Sequence, residues 1–201
     1  MKPSDIDAFF ERLDRSLGLP AEIILTGAAA GALMGHVRPT LDIDFEIRVR
    51  TRKKIPFVRI EEAVKRAEQE TGFPVQCGEN IEGWSMISLM DYRAKAKKYK
   101  RIGKLVVKIM APEYWTIGKI GRYLNPDIDD MINVIKEENI PCERLIKLWA
   151  KALRSSRLSL ELGQFRDHAV DFLASQGKKI WGKAFNPDAA IRDFKKLARI
   201  P

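Results

Sequence analysis

Apolar and polar residues alternate from residue 42 to residue 49, and this alternation predicts a β-strand with two different faces. Successive side chains of a strand point to opposite sides of the sheet. Asp42, Asp44 and Glu46 therefore share one face of the predicted strand. The opposite face is apolar and consists of Ile43, Phe45, Ile47 and Val49. The apolar face is typical of a core, and the acidic face is typical either of chemistry or of contact with solvent.

The segment just upstream predicts a strand, a tight turn and a helix in that order. Residues 22–26 form a short apolar run, residues 27–31 read GAAAG, and a helical pattern continues through Met34. Small residues let a ligand approach the backbone closely, and the N–H groups and dipole of a helix N-terminus favour a triphosphate. Gly27 and Ala28 are therefore candidate phosphate-binding positions, although an alanine-rich helix start can also serve packing alone.

The spacing of the acids suits a metal site. Residues two apart in a strand are separated by about 7 Å at Cα, so the carboxylates of Asp42 and Asp44 can converge on shared divalent cations. Such a pair is appropriate for Mg²⁺-assisted phosphoryl or nucleotidyl transfer, with Mn²⁺ as an alternative metal. Glu46 is expected to be a salt-bridge partner or a residue at the rim.

A third carboxylate is expected from a neighbouring strand. Residues 84–90 are apolar enough to predict a central strand that ends at Asp91. Asp91 is then a candidate for the third metal ligand or for the base that takes a proton from the attacking hydroxyl. The alternative is an N-cap, because residues 92–99 have the composition of a helix and Asp caps helices well.

The remaining pattern predicts an α+β protein. Helices are predicted over residues 4–17 and 56–71, and strands at residues 73–76 and 104–109. From Glu113 onward only helical patterns occur, including residues 141–154 and 158–175. We therefore predict a mixed sheet flanked by helices over residues 1–124, followed by an all-helical C-terminal domain over residues 125–201.

Composition and charge narrow the class of protein. The 201 residues are 45% hydrophobic and 31% charged, as in an ordinary globular protein, and they contain no apolar run of membrane-spanning length. Two distant cysteines, Cys77 and Cys142, predict neither a disulfide framework nor a metal site. These features predict a cytoplasmic protein with no membrane partner.

The net charge of +9 is unevenly distributed. From Arg93 to Lys108 there are eight Lys or Arg residues and no acid. Next to a carboxylate site, such a segment could hold an NTP or the phosphates of a nucleic acid, including RNA or tRNA. A solvated basic surface gives the same pattern, so both interpretations stay open.

Gly27 and Ala28, thirteen intervening residues, and then Asp42-Ile43-Asp44 resemble the signature of the DNA polymerase beta-like nucleotidyltransferase superfamily. The run from Arg38 to Asp44, RPTLDID, is similar to the bacterial branch that contains the nucleotidyltransferase toxins of abortive-infection systems. The resemblance implies a nucleotidyltransferase-type sheet and substrate-binding roles for Arg38 and Thr40. Ala28 departs from the Gly or Ser usual at that position and leaves only backbone groups for the phosphates.

A second segment also resembles this branch, in which a helical lysine is followed by a basic residue and an Asp-x-x-Asp element. The matching residues are Lys119, Arg122, Asp127 and Asp130. The resemblance implies that Lys119 binds the triphosphate and that Asp130 orients it or assists the lysine. The structural alternative is an ordinary helix start at Pro126 with acids in its first turn.

Taken together, the residues and the resemblance predict a Mg²⁺-dependent nucleotidyltransferase that moves a nucleotide from an NTP to a hydroxyl acceptor. The resemblance further implies a two-metal mechanism and a place in a toxin–antitoxin pair, with a cognate antitoxin as partner. The alternative is a catalytically inactive protein of the same fold that binds nucleic acid or a protein partner.

Overall fold

The computed structural model describes residues 1–35, 41–52 and 55–199, and these residues form an α+β protein. The strands are β1 (Ala21–Thr26), β2 (Ile43–Val49), β3 (Val75–Gly78), β4 (Lys97–Ile102) and β5 (Leu105–Ile109). The helices are α1 (Pro3–Leu17), α2 (Gly27–Met34), α3 (Phe57–Thr71), α4 (Tyr92–Lys95), α5 (Pro112–Arg122), α6 (Asn125–Glu137), α7 (Cys142–Ser155), α8 (Leu160–Trp181) and α9 (Pro187–Ala198). A 3₁₀ turn covers Ile81–Trp84.

The five strands form one mixed sheet in the order β3-β2-β1-β5-β4. Strand β1 pairs antiparallel with β2 and parallel with β5, while β2 pairs parallel with β3 and β4 pairs antiparallel with β5. The register places Thr26 opposite Asp44 and Ile24 opposite Glu46. Directly paired residues share a face of the sheet, so one side, which we call the Asp44 face, carries these residues.

The opposite side, the Phe45 face, carries the core of the sheet. Helix α1 presents Ile6, Phe9, Phe10 and Leu13, which are spaced i, i+3, i+4 and i+7 and are fully buried. The rings of Phe9 and Phe10 lie 5.9 and 5.4 Å from the ring of Phe45. The predicted division of β2 into an apolar face and a polar face is confirmed.

The predicted strand over residues 84–90 is wrong. Polar side chains take the backbone N–H groups that a strand would use in its ladder: Glu161 accepts from Met86 N at 3.0 Å, Ser156 from Ser88 N at 2.8 Å, and Glu82 from Leu89 N at 3.0 Å. Met86 is 46% exposed. The segment is an irregular loop because side chains satisfy its backbone.

The helix predicted over residues 92–99 is also wrong beyond Lys95. Helix α4 has only four residues, and Lys97–Ile102 instead form the edge strand β4. Pairing with β5 overrides the local helical composition of this lysine-rich segment. The other predicted strands and helices are present with shifts of a few residues at their ends.

The chain divides into two compact units. The first unit comprises Met1–Ile81 and Arg93–Met110 and contains the sheet, and the second comprises Glu82–Tyr92 and Ala111–Pro201. Every regular element described after Met110 is a helix, as the sequence predicts. The predicted boundary lay at residue 124, whereas residues 111–124, which include α5, fall in the second unit. Within the described ranges, no helix is both long enough and apolar enough to cross a membrane.

Candidate active site

The tight turn predicted over residues 27–31 is wrong, because α2 begins at Gly27, directly after β1. The first residue of α2 and the second acid of the predicted pair, Asp44, lie against each other. Gly27 follows Thr26 directly, and Thr26 is the register partner of Asp44. Gly27 has φ +59°, and a β-carbon built on it would overlap the Asp44 carboxylate, lying 2.9 Å from its Cγ. Glycine is therefore required at position 27 both for its backbone conformation and for the space that the carboxylate occupies. This contact brings Gly27, a candidate phosphate-binding residue, next to Asp44, a candidate metal ligand.

The remaining site residues predicted in the first unit differ in accessibility. Asp42 precedes the first residue of β2 and is exposed, and Asp44 is half-buried. Ala28 is the second residue of α2 and is half-buried. Arg38 and Thr40 lie outside the described residues, and their predicted substrate-binding roles stay predictions.

Glu46 is held as an ion-pair partner. Its side chain is fully buried, and both oxygens accept from Arg93, with 2.6 Å to Nε and 2.9 Å to Nη2. The Ile81 N–H also donates to it at 3.2 Å, and Arg93 donates to Asn80 Oδ1 at 2.7 Å. The expectation that Glu46 is a salt-bridge partner is confirmed. Sequence reasoning did not identify Arg93 as that partner, because 47 residues separate the two.

Asp91 belongs to the second unit and follows the irregular loop rather than a strand. Its Oδ1 accepts a hydrogen bond of 2.8 Å from the Tyr114 hydroxyl and lies 3.5 Å from Lys151 Nζ. The hydrogen bond from Tyr114 is the main cause that lowers the pKa of the Asp91 carboxyl. Burial, followed by the bond to Asp91, raises the pKa of Tyr114 to about 12. The predicted metal-binding or base role of Asp91 stays a prediction.

Lys119 lies at the centre of a buried charge cluster in the second unit. Its Nζ donates to Asp127 Oδ1 at 2.8 Å and to Asp130 Oδ2 at 2.9 Å, and it lies 4.8 Å from the ring centre of Trp115. Lys119 is 3% exposed, and Asp130 is 2% exposed. A triphosphate role for Lys119 would require its ammonium to give up carboxylate partners, and the predicted roles of Lys119 and Asp130 stay predictions.

The Asp127 carboxylate accepts three of the hydrogen bonds described in this charge cluster. Besides the bond from Lys119, it accepts from Arg122 Nε at 2.7 Å and from Arg122 Nη2 at 2.6 Å. Burial raises the pKa of the Asp127 carboxyl, but the hydrogen bonds and charges of Arg122 and Lys119 outweigh burial and hold this pKa at about 2. The sequence resemblance gave Asp127 no role, although three donors converge on it.

The side chains available as ligands determine how the site could hold a metal ion. Among residues 1–35, 41–52 and 55–199, no three His, Cys, Asp or Glu side chains are grouped so that they could hold a metal ion. Mg²⁺ is commonly held by one or two carboxylates together with substrate phosphates, and Asp42 and Asp44 match that donor set.

Comparisons of the chain with protein-family models, with curated proteins and with solved structures find no match.

Proposed function

We propose that the first unit is a Mg²⁺-dependent nucleotidyltransferase whose site comprises Gly27, Ala28, Asp42 and Asp44. The observation that carries the proposal is the contact between Gly27 and the Asp44 carboxylate. The N-terminus of α2 lies beside the Asp44 carboxylate in this contact, and helix N-termini favour phosphate while carboxylates favour Mg²⁺, which supports the proposal.

The first part of the chemistry is recognition of the triphosphate. The backbone N–H groups at the start of an α-helix point along its axis toward the N-terminus and carry a partial positive charge. Ala28 offers no side-chain hydroxyl, so this function falls to backbone groups. Within the first turn of α2, Ala29 and Ala30 are fully buried whereas Gly27 and Ala28 are half-buried, so a ligand could approach the backbone at Gly27 and Ala28.

The second part is transfer of the nucleotide. A hydroxyl oxygen of the acceptor attacks the α-phosphorus, the bond from that phosphorus to the bridging oxygen of pyrophosphate breaks, and pyrophosphate leaves with the bonding electrons. The proton of the hydroxyl passes to solvent or to a carboxylate. Mg²⁺ bound by Asp42 and Asp44 would supply charge neutralisation at the phosphates. The two aspartates hold the reacting groups in place, and positioning of this kind is the main contribution of proteins to phosphoryl transfer.

The test is transfer of label from each α-labelled NTP to total cellular RNA in the presence of Mg²⁺. We expect labelled product with the wild-type protein and loss of at least ~100-fold of the rate in Asp44→Asn, as is typical for groups that act on developing charge. Asp188→Asn, an exposed aspartate in the first turn of α9, is the matched control and should retain the rate.

Thermal melts must accompany the assay, because loss of activity in an unfolded variant would carry no information about the site. A folded Asp44→Asn variant with the wild-type rate contradicts the proposal. A wild-type protein that binds NTP without transferring it supports instead an inactive protein of this fold, for which Ala28 is the distinguishing residue.

A further inference from the structure

The Asp44 face of the sheet continues beyond the candidate active site onto strands β5 and β4. Lys108 of β5 is the register partner of Ile24, and Lys98 of β4 is the register partner of Lys108. Val106 is two residues before Lys108 on β5 and therefore lies on the same face as Lys108. Arg101 is the register partner of Val106 and lies on that face too. Lys98, Arg101 and Lys108 thus form one group on the Asp44 face, which we call the basic strip.

The same strand also carries cations on the opposite face, and these are engaged differently. A bulge between Lys98 and Lys100 shifts the register, so that Lys97 and Lys100 lie on the Phe45 face. Lys100 is tied to Asp7 of α1 with an Nζ to Oδ2 distance of 2.7 Å. Strand β4 therefore offers two pairs of basic residues on opposite faces of the sheet, and Lys100 of the second pair is also held in an ion pair.

The basic strip is accessible and lies in the more basic unit. Lys98 and Arg101 are exposed, and the Lys108 side chain is 25% exposed and forms an ion pair of 2.9 Å with Glu22, which Arg50 also contacts at 2.6 Å. The first unit carries 20 Lys and Arg against 13 Asp and Glu, a net charge of +7 of the +9 of the whole chain.

The distance from Asp44 determines the kind of ligand that could use these cations. Strand β4 is three strand spacings from β2, which places Lys98 about 14 Å or more from Asp44 at Cα. This separation exceeds the Debye length of about 8 Å at physiological ionic strength, so Lys98 and Arg101 add little to the binding of one phosphate group at Asp44. A polymer with a phosphate on every residue can contact both places at once.

We propose that the basic strip binds the backbone of a single-stranded nucleic acid whose terminal hydroxyl reaches Asp44. This inference rests on the proposed function only for the role of the terminus; the binding surface itself does not depend on catalysis. It narrows the sequence prediction, which assigned the whole segment from Arg93 to Lys108 to the nucleic acid, to the residues on one face of β4 and β5.

The test is fluorescence anisotropy with labelled single-stranded RNA and DNA oligonucleotides of one sequence, measured over a range of salt concentrations without NTP or Mg²⁺. The variant Lys98→Gln/Arg101→Gln removes two charges from the Asp44 face. The matched control, Lys97→Gln/Lys100→Gln, removes two charges from the Phe45 face of the same strand. Thermal melts of both should stay close to those of the wild-type protein, because the replaced residues are exposed and the surface ion pair lost with Lys100 contributes little to stability.

We expect the slope of log affinity against log salt to become shallower by about 1.4 in the Asp44-face variant, at ~0.7 per phosphate contact, and to remain unchanged in the control. The single variant Lys98→Gln should give about half of that change. Either RNA or DNA binding supports the proposal, and the tighter of the two identifies the natural chemistry.

Three results would overturn the proposal. Equal flattening in both double variants would show that position on the face does not matter. An unchanged slope in the Asp44-face variant would show that the basic strip makes no phosphate contacts. Binding of polyglutamate as tightly as the oligonucleotides would assign the surface to an acidic protein. Since no turnover is measured, these results are independent of whether the protein transfers nucleotides.

Discussion

The buried charge cluster around Asp127 predicts a specific acid sensitivity of the second unit. The Asp127 carboxyl has a pKa of about 2 in the folded protein, against an ordinary value of 3.8 for an aspartate. A lowered pKa in the folded state stabilises the protein fully above the unfolded-state pKa, and this contribution is lost as the pH falls toward the folded-state pKa. Because one pKa unit corresponds to about 1.4 kcal/mol, the contribution of Asp127 is about 2 kcal/mol and disappears between about pH 4 and pH 2.

The substitution Asp127→Asn removes the contribution of the Asp127 carboxylate to the free energy of unfolding, and Asp129→Asn is its control. Asp129 lies on the same helix, α6, but is exposed, whereas Asp127 is fully buried. In the Asp127 variant Lys119 keeps its bond to Asp130, so the cluster loses one charge without losing every partner. At neutral pH the Asp127→Asn variant should be less stable than the wild-type protein by at least about 2 kcal/mol.

Urea unfolding monitored by tryptophan fluorescence is a suitable assay. All four tryptophans, Trp84, Trp115, Trp149 and Trp181, lie in the second unit, so the signal reports on the unit that contains the charge cluster. The free-energy difference between wild type and Asp127→Asn should shrink by about 2 kcal/mol as the pH falls from about 4 to about 2. Asp129→Asn should follow the wild-type curve. A difference that stays constant with pH for Asp127→Asn would refute the reasoning.

Two further predictions concern the first unit, where hydrogen exchange of the β1 and β2 amides provides the measurement. Gly27→Ala should destabilise these strands by about 1–3 kcal/mol or more, because it combines a strained positive φ with overlap of the Asp44 carboxylate. Its control is Gly35→Ala, which should cost less because Gly35 also has a positive φ but has open space around it. Equal effects of the two would show that the overlap is relieved without cost. Arg93→Met should destabilise β2 by up to about 3 kcal/mol, because it leaves the fully buried Glu46 carboxylate without its arginine. This value is the low end for breaking a buried ion pair, since the Arg93 side chain is itself 35% exposed. Arg50→Met, which removes an arginine that is 68% exposed, should cost within about 1 kcal/mol, and a ranking in the reverse order would contradict this account.

Local sequence pattern was sufficient where the backbone and the core decided the structure. Strand β1, helix α2, the two-faced strand β2, and α1 with its apolar stripe follow from side-chain period and from glycine positions. The predicted turn over residues 27–31 is instead the start of α2. Gly27 lies against Asp44 because β1 and β2 pair antiparallel, which brings the end of β1 next to the start of β2. The sequence pattern predicts both strands but not their pairing.

Sequence reasoning failed where distant side chains decided the backbone. The loop over residues 84–90 is apolar enough for a strand, but Glu161 and Ser156, about 70 residues away, satisfy its N–H groups. The lysine-rich segment after Tyr92 has helical composition, but pairing with β5 makes it a strand and sorts its basic residues between two faces. Neither partner can be identified from a local window. The match of Asp127 to a basic residue five positions earlier was the one available signal for its ion pair with Arg122.

The central claim is that Asp42 and Asp44 hold a divalent cation beside an NTP bound at Gly27. The most direct measurement is electron paramagnetic resonance of Mn²⁺ titrated into the protein with a nonhydrolysable NTP analogue, which reports the concentration of free metal. We predict saturable binding by the wild-type protein and weakening by at least ~10-fold in Asp42→Asn and Asp44→Asn, because even partners outside the ligand set typically contribute ~10–100-fold to metal affinity. Asp188→Asn should bind as the wild-type protein does. Equal Mn²⁺ affinity in folded wild-type and Asp44→Asn proteins, or no Mn²⁺ binding by the wild-type protein with any NTP analogue, would contradict the claim.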